Sequence, residues 1–278
     1  MLTSVRSLLA ATLLAGSALS AAPAMAQDAA DTLGPVTVSG SVALVSDYRF
    51  RGVSQTDEEM AVQGGITVGH ESGLYVGTWA SNLAGWGTFG GSNMELDIYG
   101  GYAMPLGDSA TLDVGVTWYM YPGGADNTDF AEPYVKLSST LGPVEGLVGV
   151  AYAPKQQALG NYSNTPNSRG QKQDNLYLWT DISSGIPNTP VTLKGHLGYS
   201  DGNPGLGPNG TSIAPTGEYF DWMLGADMAV GPLTLGVAYV DTDISRSESA
   251  YLGSGFASTK DGSSIASSQV VFSVSAGF

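Results

Sequence analysis

The 278-residue chain carries 25 acidic against 10 basic residues, a formal net charge of −15, and no cysteine. That charge has the wrong sign for gripping a phosphate backbone, so no nucleic-acid partner is expected. The missing cysteine excludes a disulfide scaffold and a cysteine-linked lipid anchor alike.

In chain order, residues 1–26 show a short start with Arg6, an apolar run and a small-residue close at Ala24-Met25-Ala26, the pattern of a signal peptide cut before Gln27. Residues 27–36 form a short periplasmic N-terminal segment. Beyond the signal peptide no apolar run is long enough for a transmembrane helix. A membrane-spanning reading therefore requires a closed barrel, the other structure that satisfies its backbone in lipid.

From residue 37 onward, alternating segments are separated in turn by short turns and long polar stretches. Strands are expected near 37–50, 61–70, 74–84, 93–105, 110–121, 130–141, 143–154, 173–184, 190–200, 217–230, 232–244 and 265–278. Short turns read at 70–73, 105–108, 141–143, 186–190 and 230–232, where Gly, Pro, Asn and Asp supply the required angles. Longer polar stretches lie near 51–60, 84–92, 122–129, 154–173, 201–217 and 245–264. Twelve strands follow, with all short turns at one end and all long loops at the other. The expected fold is all-β, a closed antiparallel transmembrane β-barrel over 37–278 with short periplasmic turns and long extracellular loops.

The two faces of each strand sharpen the reading. Met94, Leu96, Ile98, Tyr102 and Met104 share a parity opposite Glu95, Asp97 and Tyr99; Leu112, Val114, Val116, Trp118 and Met120 oppose Asp113 and Thr117. Val191, Leu193, Leu197 and Tyr199 oppose Lys194 and His196, and Phe220, Trp222, Leu224 and Met228 oppose Asp221 and Asp227. The apolar parity is assigned to lipid. LYVGTWAS is ambiguous, whereas Asp181 argues that Tyr177 and Trp179 point inward. Tyr48, Trp118, Tyr152, Tyr199, Tyr239, Phe220 and Trp222 gather at loop-side strand ends as an aromatic girdle.

Residues 42–82, with SDYRFRGVSQ, AVQGG and SGLYVGTWASN, resemble the opening of the TorF family of porins, and MELDIYGGY is similar to that family's next strand. The resemblance implies a porin-like role in the outer membrane of Gram-negative bacteria and transfers no catalytic or metal residue. In SDYRFRG itself, Asp47, Arg49 and Arg51 fall on the lumen parity, with Tyr48 and Phe50 toward lipid. The cluster either constricts the pore and orients solutes, or braces the wall and tethers a loop.

Lumen-parity carboxylates are Asp47, Glu95, Asp97, Asp113, Glu132, Glu145, Asp181, Asp221 and Asp227, against Arg49, Lys136 and Lys194 with Arg51 at the rim and His196 nearby. That imbalance predicts a narrow channel that passes small solutes and prefers cations or small zwitterions. The alternative is a barrel with a blocked lumen and a structural or loop-mediated binding role. No enzyme is read here: His70 with Ser72 sits in a turn, and His196 is a weak candidate base. No cofactor is expected. Asp126, Asn127 and Asp129 read as a solvated loop in preference to a calcium site. Asn161 and Asn209 fit a glycosylation pattern without meaning in this setting.

The last strand, SSQVVFSVSAGF, puts Val270, Phe272, Val274, Ala276 and Phe278 on one face. Phe272 and Phe278 match the aromatic signal by which barrel-assembly machinery recognises its clients, so that machinery and outer-membrane lipid are the expected partners, with Phe278 as an interface anchor the alternative.

Overall fold

A computed structural model describes residues 31–160, 171–203 and 213–278. The signal peptide and both glycosylation-like motifs lie outside the described residues. Twelve strands form the wall: β2 (Val36–Val45), β5 (Ala61–His70), β6 (Leu74–Asn82), β7 (Met94–Leu106), β8 (Ala110–Met120), β9 (Phe130–Leu141), β10 (Val144–Gln156), β11 (Gln173–Gly185), β12 (Val191–Asp201), β13 (Glu218–Val230), β14 (Leu233–Thr242) and β15 (Gln269–Gly277). Three shorter strands, β1 (Asp31–Leu33), β3 (Arg49–Phe50) and β4 (Val53–Ser54), and one helix, α1 (Arg246–Leu252), complete the described elements introduced here. No helix among the described residues is long and apolar enough to cross a membrane.

Each wall strand pairs antiparallel with its sequence neighbour, and β15 pairs with β2 from Ser273↔Val45 to Gly277↔Ser41, which closes the barrel. Gly40 and Phe278 then exchange backbone hydrogen bonds of 2.8 and 3.0 Å, and β1 covers Val36–Val38 beyond them. No long edge of β2 is left to pair with another chain.

The expected parity holds around the wall. Val42, Ile66, Val76, Ile98, Val116, Leu193, Leu224 and Phe272 are exposed on the outside, while Ser273, Ser275 and the strand carboxylates Glu95, Asp97, Asp113 and Glu132 are buried inside. The ambiguous β6 resolves with Leu74 and Val76 outward and Trp79 inward. Of the girdle residues, Trp118, Tyr152, Tyr239 and Phe220 are exposed. Tyr152, Tyr199 and Tyr239 each donate a hydroxyl to a rim carboxylate, Asp174, Glu218 and Asp241, at 2.7, 2.7 and 2.8 Å. This holds each ring at the boundary between the apolar band and the polar loops.

Inside, aromatic rings lie across glycines on the neighbouring strand. Tyr99 faces Gly77, Trp179 faces Gly149 and Tyr134 faces Gly115 in register. A Cβ at Gly149 would stand 2.3 Å from the Trp179 ring. Replacing Gly149 with Val is expected to destabilise the barrel by about 1–3 kcal/mol through overpacking. Urea unfolding of the detergent-folded protein checks this; an unchanged midpoint would mean that the ring shifts freely.

One expectation fails. The first strand does not run to residue 50; β2 stops at Val45, and Tyr48 and Phe50, assigned to lipid, are 3% and 9% exposed. Residues 47–57 fold into the lumen instead. There β3 and β4 make a two-residue hairpin, Phe50↔Val53, across Arg51 and Gly52, whose φ values are +48° and +80°. Positive φ at both positions is what a tight hairpin with the sheet's own twist requires. The polar stretch 245–264 also differs, since it contains α1. Its start is fixed by Ser245 and Glu248, which cap each other's backbone N–H groups at 3.2 and 2.7 Å.

Candidate functional site in the barrel lumen

The inward segment begins with Asp47 as a hub. Its carboxylate accepts from Arg49 Nε at 2.6 Å, Ser54 Oγ at 2.6 Å and Thr56 Oγ1 at 3.2 Å. Arg49 Nη1 donates to the carbonyls of Gly52 and Ser267 at 3.0 and 2.7 Å, tying the hairpin to the loop before β15. Arg49, read as a wall residue, and Arg51, read as a rim residue, both belong to the inserted hairpin instead.

Arg51 reaches the far side of the lumen. Its Nη2 donates to both Glu132 oxygens of β9 at 2.7 and 2.8 Å, and its guanidinium lies 4.0 Å from the centre of the Tyr177 ring. Burial alone would lower its pKa, but Glu132 with the nearby tyrosines raises it overall, so the guanidinium stays charged. The Tyr219 hydroxyl donates to the Arg51 carbonyl at 3.0 Å. Along the segment, Tyr48 packs edge-on to Trp79 at 5.4 Å and Phe50 to Tyr119 at 5.9 Å. Strands β6, β8, β9, β11 and β13 therefore all touch one inserted segment.

Over the hairpin, Val53, Ala214, Tyr219, Ile244, Leu252, Phe256, Ile265 and Ala266 form a cluster with Trp86, so the loops close down on it. Below it, further ion pairs cross the lumen wall. Lys136 meets Asp113 at 2.9 Å and Lys194 meets Asp227 at 2.6 Å. His196 lies between Asp181 at 2.6 Å and Asp221 at 3.1 Å, with the Tyr177 hydroxyl at 2.8 Å from Nε2. Glu145 sits exposed near the short-turn end of β10. Glu95 accepts the Tyr48 hydroxyl at 3.0 Å. Neither it nor Asp97 forms an ion pair among the described residues.

The wall carboxylates and cations thus lie on inward positions, and most are neutralised pairwise. Sequence reasoning set Tyr99 and Tyr177 inward but gave no lumen tyrosine a role, and it did not single out Tyr75, Tyr134 or Tyr219. Tyr75 donates to Asp113 at 2.6 Å and also meets Tyr134, while Tyr48, Tyr177 and Tyr219 position the hairpin. For Tyr75 and Tyr134 the available signal was an aromatic on the polar parity opposite a neighbour's glycine, Gly101 and Gly115. Outside the lumen, His70 bonds Ser72 within its turn at 2.8 Å, and Asp129 accepts the Tyr121 amide at 3.0 Å as a loop tie.

A family model of bacterial proteins of unknown function, Gcw_chp, matches residues 29–278. Among solved structures, the NanC porin matches with a TM-score of 0.54 at 12% identity, over 87% of this chain and 98% of that one. An outer-membrane channel from Pseudomonas putida F1 gives 0.42 at 10% identity, over 90% and 97%. The outer-membrane channel DcaP of Acinetobacter baumannii gives 0.40 at 12% identity, over 89% and 99%. At 12% identity the likeness to the NanC porin is one of fold. No curated protein matches the chain.

Proposed function

The chain belongs to the Gcw_chp family of bacterial proteins, and on that premise we propose a narrow, porin-like outer-membrane channel for small solutes, held in a low-conductance state by the hairpin at 49–54. The observation that carries the proposal is that hairpin, which crosses the lumen of a porin-fold barrel. The apolar outer band and the girdle support a place in outer-membrane lipid. The TorF-like residues 42–82 belong to the same reading, because they build both the first wall strands and the hairpin between them.

Magnitudes favour closure at rest. Tyr48, Phe50 and Val53 are buried in the inserted segment, and each contributes about 1.5–3 kcal/mol. At 1.4 kcal/mol per factor of ten, a withdrawn hairpin is populated on the order of one part in a thousand or less. The blocked-barrel alternative differs in one respect: its hairpin never withdraws. Planar-bilayer recording separates the two, since rare openings support the channel and a silent bilayer at every voltage supports the blocked barrel.

The open state is expected to favour cations. Arg49, Arg51, Lys136 and Lys194 each already face a carboxylate, whereas Glu95, Asp97 and Glu145 form no ion pair among the described residues. In a salt gradient the reversal potential is therefore expected to take the cation-selective sign. The anion-selective sign would refute the charge argument.

Phe272 and Phe278 are proposed as the recognition signal for barrel-assembly machinery. Deleting Phe278 should leave a chain that folds in detergent yet accumulates poorly in the outer membrane of cells. Normal surface levels would reduce Phe278 to a clamp over Gly40.

A further inference from the structure

A small cavity remains between the hairpin and the loops, and its lining includes Phe50, Trp86, Phe89, Tyr121, Tyr219 and Glu95. Five of these are aromatic and one is a carboxylate. Glu95 and Asp97 occupy successive inward positions of β7 and are 2% and 3% exposed. Three other buried carboxylates of the lumen have counter-ions: Asp113 has Lys136, Glu132 has Arg51 and Asp227 has Lys194. Among the described residues, Glu95 receives only the neutral Tyr48 hydroxyl, and Asp97 Oδ1 has no hydrogen-bond partner.

Burying charge without a counter-charge is costly, and a carboxylate left in that state calls for a cation or a proton. The lining argues for a particular cation. A hard divalent ion takes six or more oxygen ligands, and no group of three or more His, Asp or Glu suited to a metal is found among the described residues. Ring faces attract weakly hydrated cations, best of all on tryptophan.

We propose that this cavity binds the ammonium head of a small organic cation, with Glu95 as the contact charge. Asp97 adds a second negative charge behind it, and Trp86, Phe89 and Tyr121 supply the ring faces. Placing the site on a solute path rests on the channel reading above; the binding itself needs no conduction.

The test is calorimetric titration of the full chain, folded in detergent, with methylammonium chloride, beside potassium and calcium chloride. Saturable methylammonium binding is expected, weakened roughly tenfold or more by Glu95→Gln and by Trp86→Leu. Trp86 belongs to a loop outside the wall strands, so that variant keeps the barrel, which the mobility shift between boiled and unboiled samples on a gel confirms. No saturable binding to the wild type, binding unaffected by Glu95→Gln, or equal affinity for calcium would overturn the proposal. A barrel that never conducts yet binds methylammonium would sink the channel reading alone. A conducting barrel without such binding would sink only this one.

Discussion

Replacing Arg49–Ser54 with a short Gly-Ser linker is expected to raise single-channel conductance several-fold while the barrel still folds. The wall does not depend on the hairpin: β2 and β5 pair directly from Val36↔His70 to Val45↔Ala61, on either side of the inserted segment. What the segment contributes is occupancy of the lumen, through Phe50 on Tyr119 and Arg51 on Glu132. Once it is gone, Glu132 and Asp47, which lose Arg51 and Arg49, face the water that fills the bore, so neither charge stays buried without a partner. Twelve strands enclose a bore between those of eight-stranded filled barrels and sixteen-stranded open porins, so the gain is a narrow channel. Bilayer recording of the folded variant measures it. Unchanged conductance would show that the loops above, and not the hairpin, set the flow.

The second large effect belongs to Arg51. It sits at φ +48°, a left-handed position that non-glycine residues seldom adopt, and its pairing with Glu132 offsets that strain. Arg51→Ala leaves the Glu132 carboxylate, 1% exposed, against the Tyr119 hydroxyl without its cation. Removing one partner of such a pair costs about 3–5 kcal/mol. If that loss falls on the closed state, the ratio of open to closed channels rises by roughly two to three and a half powers of ten. Arg51→Met combined with Glu132→Leu should restore closure, because an apolar pair of similar volume is often neutral or better. Equal opening in the single and double variants would remove the ion pair from the account.

The wall was legible because its signals are local. Period-two alternation and the turn residues at 70–73 or 141–143 set strand, turn and face without reference to distant contacts. Lys136, Asp113 and His196 could be placed on the inner face by parity, and Asp181 by its charge, though none could be paired. The hairpin was hidden by the same rule. SDYRFRGVS alternates whether it continues a wall strand or folds into the bore, so Tyr48 and Phe50 read as lipid-facing. The mark that distinguishes them, a two-residue turn at Arg51-Gly52, is masked by an arginine where Asn or Asp is usual. Trp79 was ambiguous for a different reason. Its ring packs across Gly65 of the paired strand, a fact of register that no single segment contains.

The measurement that reaches the central claim most directly is conductance of the Arg51→Cys, Glu132→Cys double variant before and after reduction of a short bis-methanethiosulfonate bridge. The native chain has no cysteine, so the bridge can form only between hairpin and wall, at the two positions whose side chains already meet. The account predicts a silent channel while bridged and the return of rare cation-selective openings once reductant frees the hairpin, whose buried Tyr48, Phe50 and Val53 still favour closure. Equal current in the two states would contradict it.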